Sequence, residues 1–159
     1  MEVTVLTHGH CFDGLCSAVV FSRLLRELKG PATQFRYVAC GYSPSQPAIG
    51  PLLSGDQNAI LDYRFANHPR LDWYFDHHRT AFASEEDQRH FEACRDRLPY
   101  FYDAGYSSCT QLVSDVARER YGVVDERLLP LTEWADKIDS AAFESAEAAI
   151  DYSLSLIHI

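Results

Sequence analysis

The sequence predicts an α/β fold, and three observations carry that reading. A β-branched, alternating run, Glu2-Val3-Thr4-Val5-Leu6-Thr7, passes through a polar turn at His8-Gly9-His10 into a stretch with helical spacing from Asp13 to Lys29. Two further short apolar strands, Ala59-Ile60-Leu61 and Leu71-Asp72-Trp73-Tyr74-Phe75, each run into an aspartate, Asp62 and Asp76. Ligands of open α/β sheets gather at the carboxyl ends of strands, so three strand ends bring polar side chains to one edge.

The remaining elements follow in order. In the first helix Leu15, Ala18, Val19, Leu24, Leu25 and Leu28 repeat at helical spacing, and Gly30-Pro31 supplies the stop. Phe35 to Cys40 reads as a second strand, and the Gly, Pro and Ser of the stretch through Gly55 read as a loop with at most one helical turn. Ser84 to Arg97 reads as a solvated helix, with Ser84 as N-cap and Glu85, Glu86 and Asp87 favoured by the dipole of the first turn. Leu98 to Asp103 reads as a strand, Ser108 to Tyr121 as an amphipathic helix closed by Gly122, and Asp125 to Phe143 as a helix with Pro130 in or just after its first turn. No internal repeat is present.

Length and composition bound the class of protein. The 159 residues suit one domain, and 47% hydrophobic with 23% charged residues excludes a disordered chain. No basic leader with a long apolar core follows Met1, and no run approaches about 18 apolar residues, which argues against secretion and membrane spanning. Five cysteines, an odd number without a CxxC pair, suggest neither a disulfide framework nor a zinc ribbon, so a reducing cytoplasm is expected. A net charge of −9 opposes strong binding to duplex nucleic acid but admits a small phosphorylated substrate drawn in by bound cations. Residues 1–152 are read as the domain. The Ser-Leu-Ser-Leu-Ile-His-Ile run, 153–159, is read as a truncated or non-native tail without function.

The residues that call for a chemical explanation are His8, His10, Asp13, Asp62, Asp76, His77, His78, Asp136 and Asp139. Imidazole and carboxylate suit Mn, Fe or Zn, and a carboxylate that bridges two cations allows a two-metal site about 3.5–4 Å across, which fits phosphoryl chemistry. Each residue alone also has an ordinary reading: Asp13 as a helix cap, Asp62 as a turn residue, Asp136 and Asp139 as polar residues of an exposed helix face. Arg79 either binds phosphate or is solvated. Cys11 and Cys16 read as small packing residues, and His68, His90 and His158 as surface residues.

Asp76-His77-His78, with His8-Gly9-His10-Cys11-Phe12-Asp13-Gly14 before it, Asp62 between, and Ala135-Asp136-Lys137-Ile138-Asp139-Ser140-Ala141 after, resembles the DHH phosphoesterase superfamily. Four separated motifs in the same order, spanning roughly Thr4 to Phe143, make the resemblance specific. It implies a mostly parallel sheet flanked by helices, with the metals along one sheet edge, and a C-terminal substrate-binding domain that is expected to be absent here. It implies two divalent cations, Mn²⁺ first with Mg²⁺ or Co²⁺ as alternatives. His8 and Asp62 would hold one, and Asp13, Asp62, His77 and Asp136 the other, with Asp62 as bridge.

Under the same resemblance His78 would donate to the scissile phosphate and Asp76 would orient a ligating histidine, while Arg79 is a candidate for substrate contact. Asp139 stands one helical turn from Asp136 and is a further candidate ligand, as are His10 and Cys11. Many superfamily members carry an aspartate where this chain has Cys11. The implied activity is hydrolysis of a phosphodiester or phosphoanhydride bond in a nucleotide, cyclic dinucleotide or short oligonucleotide, with metal-activated water as nucleophile. The alternatives are an inorganic pyrophosphatase and a non-catalytic metal- or nucleotide-binding module.

Overall fold

The computed structural model describes residues 1–43 and 48–150. The strands are β1 (Glu2–His8), β2 (Gln34–Cys40), β3 (Gln57–Leu61), β4 (Trp73–Asp76) and β5 (Tyr100–Tyr102). The helices are α1 (Phe12–Lys29), α2 (Ile49–Leu52), α3 (Glu85–Cys94), α4 (Cys109–Tyr121), α5 (Leu129–Asp139) and α6 (Ala146–Ala149). The five strands form one sheet in the order β2-β1-β3-β4-β5, and every neighbouring pair is parallel. A parallel pair needs a crossover on a face of the sheet, so both faces become covered and the central strands apolar.

Strand alternation sorts the core into two layers. Val3, Val5, Ala59, Leu61, Trp73 and Phe75 pack on Phe21, Leu24 and Leu25 of α1 and on Leu112, Val113 and Val116 of α4. Their neighbours Leu6, Ile60 and Tyr74 point the other way, into a layer with Phe65, Leu71 and Phe91 of α3. Phe75 is fully buried with its ring centroid 5.9 Å from that of Phe21 in a T-shaped contact, and truncating it to alanine would cost about 3–5 kcal/mol.

The chain leaves β1 for β2 at one edge and returns to β3 on the other side of β1. The strand order therefore reverses between β1 and β3, and the crevice outside their carboxyl ends is the point where open α/β sheets place ligands. His8 ends β1 and Asp62 follows β3 directly.

Local signals behave as their chemistry requires. The Ser84 and Ser108 hydroxyls cap α3 and α4, accepting from the amides of Asp87 and Gln111, and Gly122 closes α4 in the left-handed region at φ 67°. Differences lie at element ends. Instead of one helix from Asp125 to Phe143, a 3-10 turn at Glu126–Leu128 leads into α5, which stops at Asp139.

Ala141 adopts φ 52°, its amide reaches the Ile138 carbonyl at 3.2 Å, and the Ala142 amide reaches the Lys137 carbonyl at 3.0 Å. This paired closure ends a helix even where alanine stands in place of the usual glycine. The strand expected over Leu98 to Asp103 keeps only Tyr100–Tyr102, and the helix expected to Arg97 ends at Cys94. The short α6, capped by Ser145, was not expected. Residues 44–47 of the loop after β2 and the tail from 151, with His158, lie outside the described residues. Among the described residues no helix is long and apolar enough to cross a membrane.

Candidate metal centre

Asp62 is the centre of the site. It leaves β3 at φ 53°, a left-handed conformation that aspartate tolerates better than most residues, and it is fully buried. Neither carboxylate oxygen has a hydrogen-bond partner. A buried carboxylate without a donor costs several kcal/mol unless a cation meets it.

Three groups of ligand atoms, each within 4.8 Å of one another, surround this carboxylate: His8, Cys11 and Asp62; Asp62, His77 and His78; Asp13, His77 and Asp139. His77 Nε2, also buried and without a hydrogen-bond partner, stands 3.6 Å from Asp13 Oδ2, 3.6 Å from Asp62 Oδ1 and 3.3 Å from Asp139 Oδ2. Metal bonds of about 2.1 Å set neighbouring ligand atoms about 3.0–3.6 Å apart, so this spacing is that of donors around one cation. The orphaned atoms and the donor chemistry both fit a divalent metal.

The surroundings fix the orientation of each donor. His77 Nδ1 lies 3.1 Å from the Tyr106 carbonyl, which can only accept; the ring therefore carries its proton there and turns Nε2 toward the carboxylates. Asp13 sits in the first turn of α1 under the amino end of α4. Its Oδ2 accepts from the Cys109 amide at 2.7 Å and its Oδ1 from the Thr110 amide and hydroxyl at 2.9 and 2.6 Å. Ser108 as N-cap thus positions α4 so that its free amides hold an aspartate contributed by another helix.

Gly14 permits the close approach. A Cβ there would stand 2.9 Å from the His8 carbonyl oxygen and 3.2 Å from Asp62 Oδ2.

Charge crowding is visible in the titration of these groups. Burial, reinforced by the Asp62 charge, raises the Asp13 carboxyl to about 6. Burial would lower His77, but the carboxylates of Asp62, Asp13 and Asp139 and the Tyr106 carbonyl prevail and lift it to about 9. Burial pushes the Cys11 thiol up to about 12, with the Asp62 charge adding to it. The His77 shift expresses a negative pocket that favours a cation, a proton by default, and the Asp62 charge adds to the rise that burial causes in Asp13 and Cys11.

His78 is held differently. Its Nδ1 lies 2.7 Å from Asp76 Oδ1, a hydrogen bond that raises its pKa against the effect of burial, and the ring is about one third exposed. Asp76 is fully buried and also accepts from the Tyr74 hydroxyl at 3.0 Å and the His77 amide at 2.9 Å. The orienting carboxylate therefore acts on the outward histidine, whereas the histidine in the cluster is oriented by Tyr106.

The structure brings together His8, Asp13, Asp62, His77 and His78, with Asp139 and Cys11 joining them. It does not bring Asp136 into the cluster: that side chain accepts from Ser108 Oγ at 3.4 Å and lines a separate cleft with Asp103, Tyr106 and Gln111. His10 is exposed at φ 58°, and Arg79 is exposed beside His78.

The sequence shows Thr110 only as one of the residues that open a helix, as a cap or a phosphate donor; its hold on Asp13 and that of Tyr106 on His77 act through a helix end and a backbone carbonyl that carry no motif. Sequence reading missed Tyr42 and Arg64: the Tyr42 ring lies 5.2 Å edge-on from His8, with the Arg64 guanidinium over it at 5.3 Å.

Fold and site together define an all-parallel, five-stranded α/β domain with a buried His/Asp cluster able to hold metal at the carboxyl ends of its strands. No protein-family model matches the chain, and no curated protein matches it.

Proposed function

We propose that the protein is a two-metal hydrolase of phosphodiester or phosphoanhydride bonds in a small nucleotide or short oligonucleotide, of the kind found in the DHH phosphoesterase superfamily. The observation that carries the proposal is Asp62, buried with two orphaned oxygens between a His8/Cys11 group and an Asp13/His77/Asp139 group. One carboxylate with a donor set on each side is the arrangement of a bridging ligand.

When bound, two divalent cations, with Mn²⁺ first among the candidates, supply the Lewis acidity that ionises water near neutral pH and offsets phosphoryl charge. The protein's own groups do the rest. Asp13, Asp62, His77 and Asp139 would hold one cation, and His8 and Asp62, with Cys11 as a further donor, would hold the other. His78, proton-bearing and anchored on Asp76, donates a hydrogen bond from its outward nitrogen to a phosphoryl oxygen. Arg79, next to His78 in the chain, and Arg64, over the Tyr42 ring, are the candidate cations for the substrate.

A cavity of about 520 Å³ adjoins the site, with His8 and Cys11 in its wall beside Leu15, Val19, Tyr37 and Ala39. Its apolar wall suits the organic part of a nucleotide better than a bare pyrophosphate.

The test is hydrolysis by the full chain with Mn²⁺ of bis-p-nitrophenyl phosphate, a cyclic dinucleotide, a short oligonucleotide and pyrophosphate. Expected is metal-dependent turnover of an organic phosphate that Asp62→Asn abolishes. A folded, Mn²⁺-loaded protein that turns over none of these is a binding module, and the proposal falls.

A further inference from the structure

We propose that His8, Cys11 and Asp62 form a site for a thiophilic divalent cation, of the Zn²⁺, Co²⁺ or Fe²⁺ kind, so that the two halves of the centre prefer different metals. The proposal rests on the two-metal reading above and adds the identity of one metal to it.

The two donor sets on either side of Asp62 are chemically unlike. Around His77 the ligand atoms are carboxylate oxygens of Asp13, Asp62 and Asp139 with a single imidazole, a hard set suited to Mn²⁺ or Mg²⁺. Around His8 they are one imidazole, one sulfur and one carboxylate oxygen within 4.8 Å of one another. Three protein ligands of mixed N, S and O character leave a position open, the pattern of catalytic rather than structural zinc. A thiolate selects soft or borderline cations over Mn²⁺ and Mg²⁺, which ordinarily take oxygen ligands.

Cys11 alone would carry no such inference. What converts it into a ligand is the second observation: the fully buried Asp62 carboxylate beside it has no hydrogen-bond partner on either oxygen. The location of the sulfur agrees. Cys11 is the N-cap of α1 and makes no side-chain capping bond, so its side chain is not committed to closing the helix. A coordinating thiol is deprotonated outright, its proton passing to solvent. The His8 ring is set by Tyr42 and by Tyr63, whose hydroxyl is tied to the Gly41 carbonyl at 2.6 Å. The cavity that runs past His8 and Cys11 gives a cation a way in.

The test is Co²⁺ titration of the full chain, with the near-ultraviolet thiolate-to-cobalt band followed beside calorimetry. Wild type is expected to develop the band to saturation at one equivalent, Asp139→Asn to keep it, and Cys11→Ser to lack it. In competition, Zn²⁺ is expected to displace Mn²⁺ from one site at least tenfold more readily in wild type than in Cys11→Asp, which restores an oxygen ligand. Cobalt binding without the sulfur band, or a band that survives in Cys11→Ser, overturns the thiophilic site and leaves the two-metal reading standing. A folded wild type that binds neither Co²⁺ nor Mn²⁺ overturns both.

Discussion

Asp139 Oδ2 lies 3.3 Å from His77 Nε2, while Asp136, one turn earlier on the same helix, points to Ser108. The two aspartates look alike in sequence, and what separates them is the neighbour each faces, His77 for Asp139 and Ser108 for Asp136. Asp139→Asn is expected to weaken Mn²⁺ binding by more than tenfold, and Asp136→Asn to change it less than threefold. Calorimetric titration of both variants decides the matter; a reversed order would mean that α5 rotates when metal binds.

Gly14 has no side chain because the start of α1 passes against the end of β1 and the Asp62 carboxylate. Gly14→Ala places a methyl 2.9 Å from the His8 carbonyl oxygen and 3.2 Å from Asp62 Oδ2, so α1 must move away. The expected cost is about 1–3 kcal/mol of stability, with a loss of metal affinity in the same variant. Urea denaturation without metal, followed by Mn²⁺ titration, measures both. An unchanged midpoint would show that the gap is wider than these distances state.

Much of this was legible in the sequence because the signals are local. Ser84, Ser108 and Gly122 mark their helix ends by chemistry that needs no partner elsewhere in the chain. The aspartates at the ends of β3 and β4 are placed by strand direction alone. What was not legible depends on contacts between distant segments. The Tyr106 carbonyl turns His77, and the amino end of α4 holds Asp13 across 96 residues of sequence. No residue type announces either role. The early end of α5 was equally hidden, since Ala141 rather than glycine takes the left-handed turn.

Without metal the protein is expected to lose stability as the pH rises. His77 titrates at about 9 in the folded state against an ordinary 6.5, so its contribution is complete below about 6.5 and is lost as the pH passes through 9. Asp13, raised from 3.8 to about 6, acts in the same direction over the more acidic interval. Metal binding requires the imidazole free at Nε2 and the carboxyl ionised, so cations replace those protons. Thermal melts of the metal-free protein should fall by about 5 °C between pH 6.5 and 9. The increase produced by Mn²⁺ should be larger at pH 9 than at pH 6.5, and His77→Ala should remove the alkaline fall. A melting temperature that rises over this interval would contradict the assignment of the proton to His77.

Asp62 gives the sharpest separation between stability and function. Its two buried oxygens have no hydrogen-bond partner, and the charge set against them in the metal-free protein is the His77 imidazolium 3.6 Å away, so once that proton is lost above about pH 9 the carboxylate is a liability that folding carries for the sake of the site. Asp62→Asn removes the charge and keeps the shape, and asparagine tolerates the φ of 53° as well as aspartate does. At about pH 10, where His77 is neutral, the variant should therefore melt higher than wild type when both are stripped of metal, and it should gain nothing from Mn²⁺, which raises the wild-type midpoint. Asp62→Ala, which lacks a polar side chain suited to the left-handed backbone, should melt below Asp62→Asn. If metal-free Asp62→Asn instead melts lower than wild type at that pH, the carboxylate has a partner within the protein other than the His77 proton, and the case for a bridging cation at Asp62 is lost.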